Sequence, residues 1–181
     1  MTGHDQTYSL AETGLKLNLL QMTGRNKATP KVLQIKAEPL TAEAYRPFGQ
    51  VVGMDRVQMK IVNDRFRMGV INMKCQPFRI TQLNRHIKST QALIPLGGKA
   101  CLVVVAPPTV NLDGPEDLKQ VRAFINDGSC GVNIDMGTWH MALLPLGPEM
   151  SMVNIQGEHS GEGTEERSFE EKFDTVIEVI L

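Results

Sequence analysis

The stretch Gln91-Ala92-Leu93-Ile94-Pro95-Leu96-Gly97-Gly98-Lys99-Ala100-Cys101-Leu102-Val103-Val104-Val105-Ala106 reads as two short apolar strands hinged on a glycine pair. Gly97 and Gly98 supply the positive-φ residues that a tight hairpin demands, so the two strands are expected to run antiparallel. The same pattern continues outward. Upstream, strands are expected at 50–53, 66–73 and 78–83; downstream, at 121–126, 132–134, 139–144, 150–156 and 173–181. Asn126-Asp127-Gly128 predicts a second tight hairpin. Short strands at this spacing predict a mainly β domain, a sandwich or barrel with a few short helices.

The flanks differ in character. Residues 1–30 mix Gly, Thr, Asn and charge around a broken apolar stretch and read as a flexible arm, leaving 31–181 as the single folded domain. A short strand is expected at 32–35, followed by a brief helix that Thr41 caps and that Pro47 and Gly49 close. Asp113-Gly114-Pro115-Glu116 predicts one helical turn before the strand at 121–126. Residues 157–167 are rich in Gly and Glu without an apolar anchor, and are expected to form a mobile loop.

Charge narrows the function classes. Lys plus Arg number 19 against 20 for Asp plus Glu, a formal net charge of −1, and neither sign forms a run. Nothing there draws the chain to nucleic acid or to an acidic membrane, so the expected partner is a small molecule. The three cysteines, Cys75, Cys101 and Cys130, include no CxxC pair and suggest neither a disulfide framework nor a zinc knot. With no basic, apolar leader and no membrane-length run, a cytoplasmic location is expected. No glycine-rich phosphate loop is present, which argues against nucleotide binding.

Of the four histidines, His86 and His140 flank expected strands and are the candidates for acid–base or metal chemistry. A buried histidine that merely satisfies its own hydrogen bonds is the plainer reading of each alone; two in matching positions favour a site. A planar guanidinium suits a small carboxylate, and Arg85 and Arg122 lead a set that includes Arg65, Arg67 and Arg79. Trp139, the single tryptophan, either walls a pocket beside His140 or fills the core.

The run from Gly131 to His140 is similar to the second metal motif of cupins, while His86 and Gln91 match parts of the first, with Asn84 where a histidine would stand. More specifically, the chain resembles the ureidoglycolate lyases of allantoin and purine breakdown. The resemblance rests on Leu83-Asn84-Arg85-His86, Thr90-Gln91-Ala92-Leu93-Ile94-Pro95-Leu96, Arg122-Ala123-Phe124-Ile125-Asn126 and Gly137-Thr138-Trp139-His140. It implies a cupin-like antiparallel β-barrel or jelly roll, usually a homodimer, that cleaves (S)-ureidoglycolate to glyoxylate and urea, with nickel as a divalent metal. Carried over, His86 and His140 would be catalytic, Arg85, Gln91, Arg122 and Trp139 would bind substrate, and His86, Gln91 and His140 would hold the metal. The sequence departs from the family pattern at Asn84, where a Glu is expected, and at Met141, where some members have a second His. A lyase or hydrolase of another small ureido or 2-hydroxy acid, or a non-catalytic carboxylate-binding barrel, are the rival readings.

Overall fold

Every residue of Cys101–Ala106 is buried, on both faces of the strand, and the architecture follows from that fact. A strand apolar on both faces must be covered on both faces. The computed structural model describes residues 29–181, so the arm expected at 1–30 lies almost wholly outside the described residues. Three sheets make up the described part.

The largest sheet runs β14 (Thr164–Ser168), β6 (Gln82–His86), β11 (Trp139–His140), β8 (Cys101–Ala106), β9 (Arg122–Asn126) and β2 (Glu38–Pro39), with β12 (Leu144–Pro145) also pairing β8. A five-stranded sheet runs β3 (Gly49–Val52), β10 (Gly131–Ile134), β7 (Gln91–Pro95), β13 (Glu149–Gly157) and β4 (Phe66–Lys74). The smallest holds β1 (Lys31–Lys36), β15 (Thr175–Ile180) and β5 (Arg79–Ile80).

Alternation along β8 divides the core in two. Leu102, Val104 and Ala106 join Leu83, Trp139, Phe169, Ile177 and Val179 in the core shared with the smallest sheet. Cys101, Val103 and Val105 join Leu93, Val132, Ile134, Met150 and Met152 in the core shared with the five-stranded sheet. Each fully buried Val, Leu, Ile, Phe or Met among them contributes about 1.5–3 kcal/mol relative to exposure. The described residues are thus mostly β in three layers, and the sheets do not join into a closed barrel.

Both expected hairpins are corrected by this layering. Gly97, Gly98 and Gly128 have the positive φ that the turn reading required, at 67°, 64° and 89°. Yet β7 pairs with β10 and β13, whereas β8 pairs with β9, β11 and β12. The turns therefore carry the chain between sheets, as in a jelly roll, and do not fold a strand back on its predecessor. They also cross in contact: a Cβ on Gly128 would lie 2.5 Å from the Gly98 carbonyl carbon. Two pairs, β1 with β15 and β2 with β9, are parallel, and both are long-range.

The expected loop at 157–167 is also overturned. A 3-10 turn at Ser160–Gly163 leads into β14, which pairs antiparallel with β6 from Thr164↔His86 to Ser168↔Gln82. Its anchor lies just beyond the polar stretch: Phe169, fully buried, opens α2 (Phe169–Phe173), with Ser168 accepting the Glu171 N–H as N-cap. The charges on β14 are those of an exposed edge strand, which is why composition reads as loop. The other helical expectations are met by α1 (Ala42–Tyr45), capped by Thr41 at 3.1 Å, and by a 3-10 turn at Asp117–Gln120.

Candidate active site

Strand alternation places Gln82, Asn84 and His86 on the face of the largest sheet that looks toward the five-stranded sheet. His140 pairs with Asn84 across one edge of β11 and with Val105 across the other, so it shares that face. The two imidazoles meet there, ring centroids 5.1 Å apart and nearly edge to face. From the opposite sheet Gln91 reaches them, its Oε1 lying 2.7 Å from His140 Nε2. The Gln91 amide nitrogen in turn donates to Asn154 Oδ1 at 2.8 Å and Gln156 Oε1 at 2.9 Å.

Proton positions follow from the partners. His140 Nδ1 lies 2.8 Å from the Thr138 carbonyl, which only accepts, so the ring proton sits on Nδ1. Burial, with the adjacent His86 adding to it, pushes the His140 pKa down to about 4, and the ring is neutral at neutral pH. Burial lowers His86 as well. His140 Nε2 therefore carries a lone pair, and Gln91 Oε1 faces it as a second acceptor. A cation between them relieves that contact; so does a half-turn of the Gln91 amide, which would present its NH2 group.

The structure brings together His86, Gln91 and His140 but not Arg85, Trp139 or Arg122. Arg85 and Trp139 adjoin the histidines in sequence, and for that reason point to the opposite face of the sheet. Trp139 is fully buried, its Nε1 donating to the Val110 carbonyl at 2.8 Å. Arg85 stacks over that indole at 4.3 Å and pairs with Glu165 at 2.9 Å. The expectation that these two bind substrate is thus corrected: they close the other core. Arg122 shares the face of His140 through Val105, but its Nε donates to Glu38 at 2.7 Å near the surface.

Other residues take their place. Asn154 and Gln156 were not anticipated, although strand 150–156 carries the signal: its core face runs Met150, Met152, Asn154, Gln156, turning from apolar to polar. Arg67 stands opposite Gln156 in register, and Gly69 opposite Asn154. With no side chain at Gly69, a cavity of about 230 Å³ opens along Arg67, Met68, Val70, Ile71 and Asn154, and neither imidazole lines it. A larger cavity of about 560 Å³, likewise without an imidazole, lies at the other end of the same strands, with Lys74, Lys99 and Glu149 in its lining. Asn84 Oδ1, in the row of His140, is buried without a hydrogen-bond partner, an acceptor left open. His159, a neighbour of the 3-10 turn, is bound to Asp64 at 2.9 Å and takes no part in the pair.

The ureidoglycolate lyase family profile matches residues 66–176, which include Arg67, His86, Gln91, His140, Asn154 and Gln156. The chain belongs to the ureidoglycolate lyase family. Among its relatives, ureidoglycolate lyase 1 of Rhizobium meliloti is 31% identical over 160 residues, covering 77% of this chain and 91% of the relative. The ureidoglycolate lyase of Azotobacter vinelandii is 32% identical over 158 residues, covering 76% and 93%. Among solved structures, RmlC from Streptococcus suis in complex with dTDP-D-xylose matches with a TM-score of 0.35 and 9% identity, over 52% of this chain and 44% of that one. The family assignment rests on the profile and the sequence relatives, and the profile spans every residue of the histidine–amide cluster.

The cysteines have no part in the site. Cys101 is buried in the core, and burial raises its thiol to about 12, far from the thiolate a nucleophile requires.

Proposed function

We propose that this protein cleaves ureidoglycolate to glyoxylate and urea, and that it does so with the histidine–amide cluster. The observation that carries the reading is the pair of neutral imidazoles 5.1 Å apart, with His140 held in one tautomer and Gln91 between the sheets beside it. The substrate carbon bears a hydroxyl, a carboxylate and a urea nitrogen. Cleavage removes the hydroxyl proton as the C–O bond becomes a carbonyl and the C–N bond breaks; the leaving nitrogen takes a proton. An imidazole Nε2 that accepts the first proton and returns it to urea balances the reaction with no net change in the enzyme. His86, half-buried and less enclosed than His140, is assigned this exchange. Asn84 Oδ1 offers an acceptor to a ureido N–H, and Arg67, aligned with Gln156 beside the cavity, offers the carboxylate a cation.

The cluster also fits a divalent metal such as nickel: His86 and His140 would hold it through Nε2 and Gln91 through Oε1, with the acceptor–acceptor contact at 2.7 Å as the supporting observation. Such an ion would occupy the His86 lone pair, so proton exchange at His86 belongs to the metal-free cluster, and the chelator and nickel arms of the assay below separate the two states. When bound, such an ion would polarise the substrate oxygen as a Lewis acid. The ligands carry no charge, so binding would be weaker than in a site with a carboxylate. The exposed apolar side chains Phe66, Met68 and Val70 on the outer face of edge strand β4 support a homodimer through that face. Light scattering should then read twice the 20.0 kDa chain mass; a 20.0 kDa particle would rule the pairing out. We also place the enzyme in the cytoplasm; among the described residues no helix is long and apolar enough to cross a membrane.

The deciding assay offers each enantiomer of ureidoglycolate to the purified protein, with chelator and with nickel restored. Equimolar glyoxylate and urea from the (S) form is the expected result, and Arg67→Met should raise KM for it. Asn84, an amide where the resemblance to the family implies a Glu, favours a second reading in which another small ureido or 2-hydroxy acid is cleaved. Products from such an acid alone would establish it. Thermal stabilisation by these acids with no product would establish a binding protein instead.

A further inference from the structure

Thr164 is the first residue of β14, in the segment that composition reads as loop, and it stands directly opposite His86 in the ladder. Its hydroxyl oxygen lies 2.8 Å from His86 Nδ1 and 2.8 Å from the Ser160 carbonyl. A threonine hydroxyl has one proton, and a carbonyl can only accept, so that proton points at Ser160. What remains for His86 is a lone pair. The Nδ1 of His86 must then be the donor, and its Nε2 the basic atom.

We infer that Thr164 is a positioning residue for the lyase reaction: by directing its single proton to Ser160 it holds His86 as the Nδ1–H tautomer, with the Nε2 lone pair presented to the cluster. Two independent elements converge on the same arrangement. His140 is held in the matching tautomer by a backbone carbonyl, Thr138, and His86 by a side chain whose own donor is spent. The 3-10 turn at Ser160–Gly163 gains a purpose from this, since it delivers the Ser160 carbonyl to the hydroxyl. An imidazole in the other tautomer would show an N–H to the substrate hydroxyl and could neither accept its proton nor ligate an ion.

The activity part of this inference rests on the proposed function; the tautomer part does not, and the test separates them. Thr164→Val keeps the β-branched shape of the strand and removes the acceptor, while Thr164→Ser keeps the hydroxyl. Nitrogen-15 spectra of the imidazoles, recorded on chelator-treated protein, should show His86 with a protonated Nδ1 and a bare Nε2 in the wild type and the Ser variant. In the Val variant the two nitrogen resonances should move toward each other as the tautomers mix. Turnover should fall about 10- to 100-fold in kcat for Val, with KM little changed, and return with Ser. A Val variant that keeps the wild-type nitrogen pattern overturns the inference, as does a Ser variant as impaired as Val. If wild-type protein releases no products from ureidoglycolate, the proposed function fails while the spectra still decide the tautomer.

Discussion

Replacing either histidine of the pair by glutamine, His86→Gln or His140→Gln, should lower kcat on ureidoglycolate by about 10²–10⁴-fold, the range removed with a general acid–base group. Glutamine preserves polarity and much of the volume, so the circular dichroism should be unchanged. The two effects arise differently. His86 loses the lone pair that exchanges the substrate proton. His140 loses the Nε2 that lies 2.7 Å from Gln91, and with it the group that sets where Gln91 meets Asn154 and Gln156. Because the residues act as one unit, the double variant should be scarcely worse than either single one. Losses that multiply would show two independent sites, and a single variant within a few-fold of wild type would remove that histidine from the mechanism.

Acidification should destabilise the wild type more than His140→Gln. His140 titrates at about 4 in the folded protein against an ordinary value of 6.5, because its charged form is disfavoured by burial. Above pH 6.5 neither state binds this proton. Between 6.5 and 4 the unfolded chain binds it and the folded protein does not, so stability falls as pH falls through that window and levels off below it. The full contribution is about 3 kcal/mol, one pKa unit being worth 1.36 kcal/mol. His86, also lowered by burial, acts in the same direction. Guanidinium unfolding from pH 7.5 to 4 should show the wild-type stability dropping more steeply than that of the variant. Parallel curves would mean that His140 is already protonated or already solvated in the folded state.

The strand at 99–106, the turn conformations at Gly97, Gly98 and Gly128, and the choice of His86 and His140 were all legible in the chain, because each depends on local chemistry. Hydrophobic runs, positive φ and the rarity of histidine are properties of a few adjacent residues. The errors share a different cause. A Gly-Gly turn specifies how the backbone bends, but whether the next strand pairs with its predecessor or crosses to another sheet depends on cover for both faces of Cys101–Ala106. That cover comes from Ile177 and Val179 on one side and Ile134 and Met152 on the other, all distant in sequence. Likewise 157–167 reads as loop because its anchor, Phe169, and its partner strand, β6, lie outside it.

The site divides along the same line. Residue types and spacing determined that two imidazoles and a carboxamide, His86, His140 and Gln91, belong to one family pattern. Tertiary structure alone decided the company they keep. Sequence neighbours on a strand face opposite ways, which removes Arg85 and Trp139 to the other core. Register between strands far apart in the chain supplies Asn154, Gln156, Arg67 and Thr164 in their stead. Local sequence determines which groups can do chemistry; the pairing of strands, fixed by burying both faces of one of them, decides which of those groups meet.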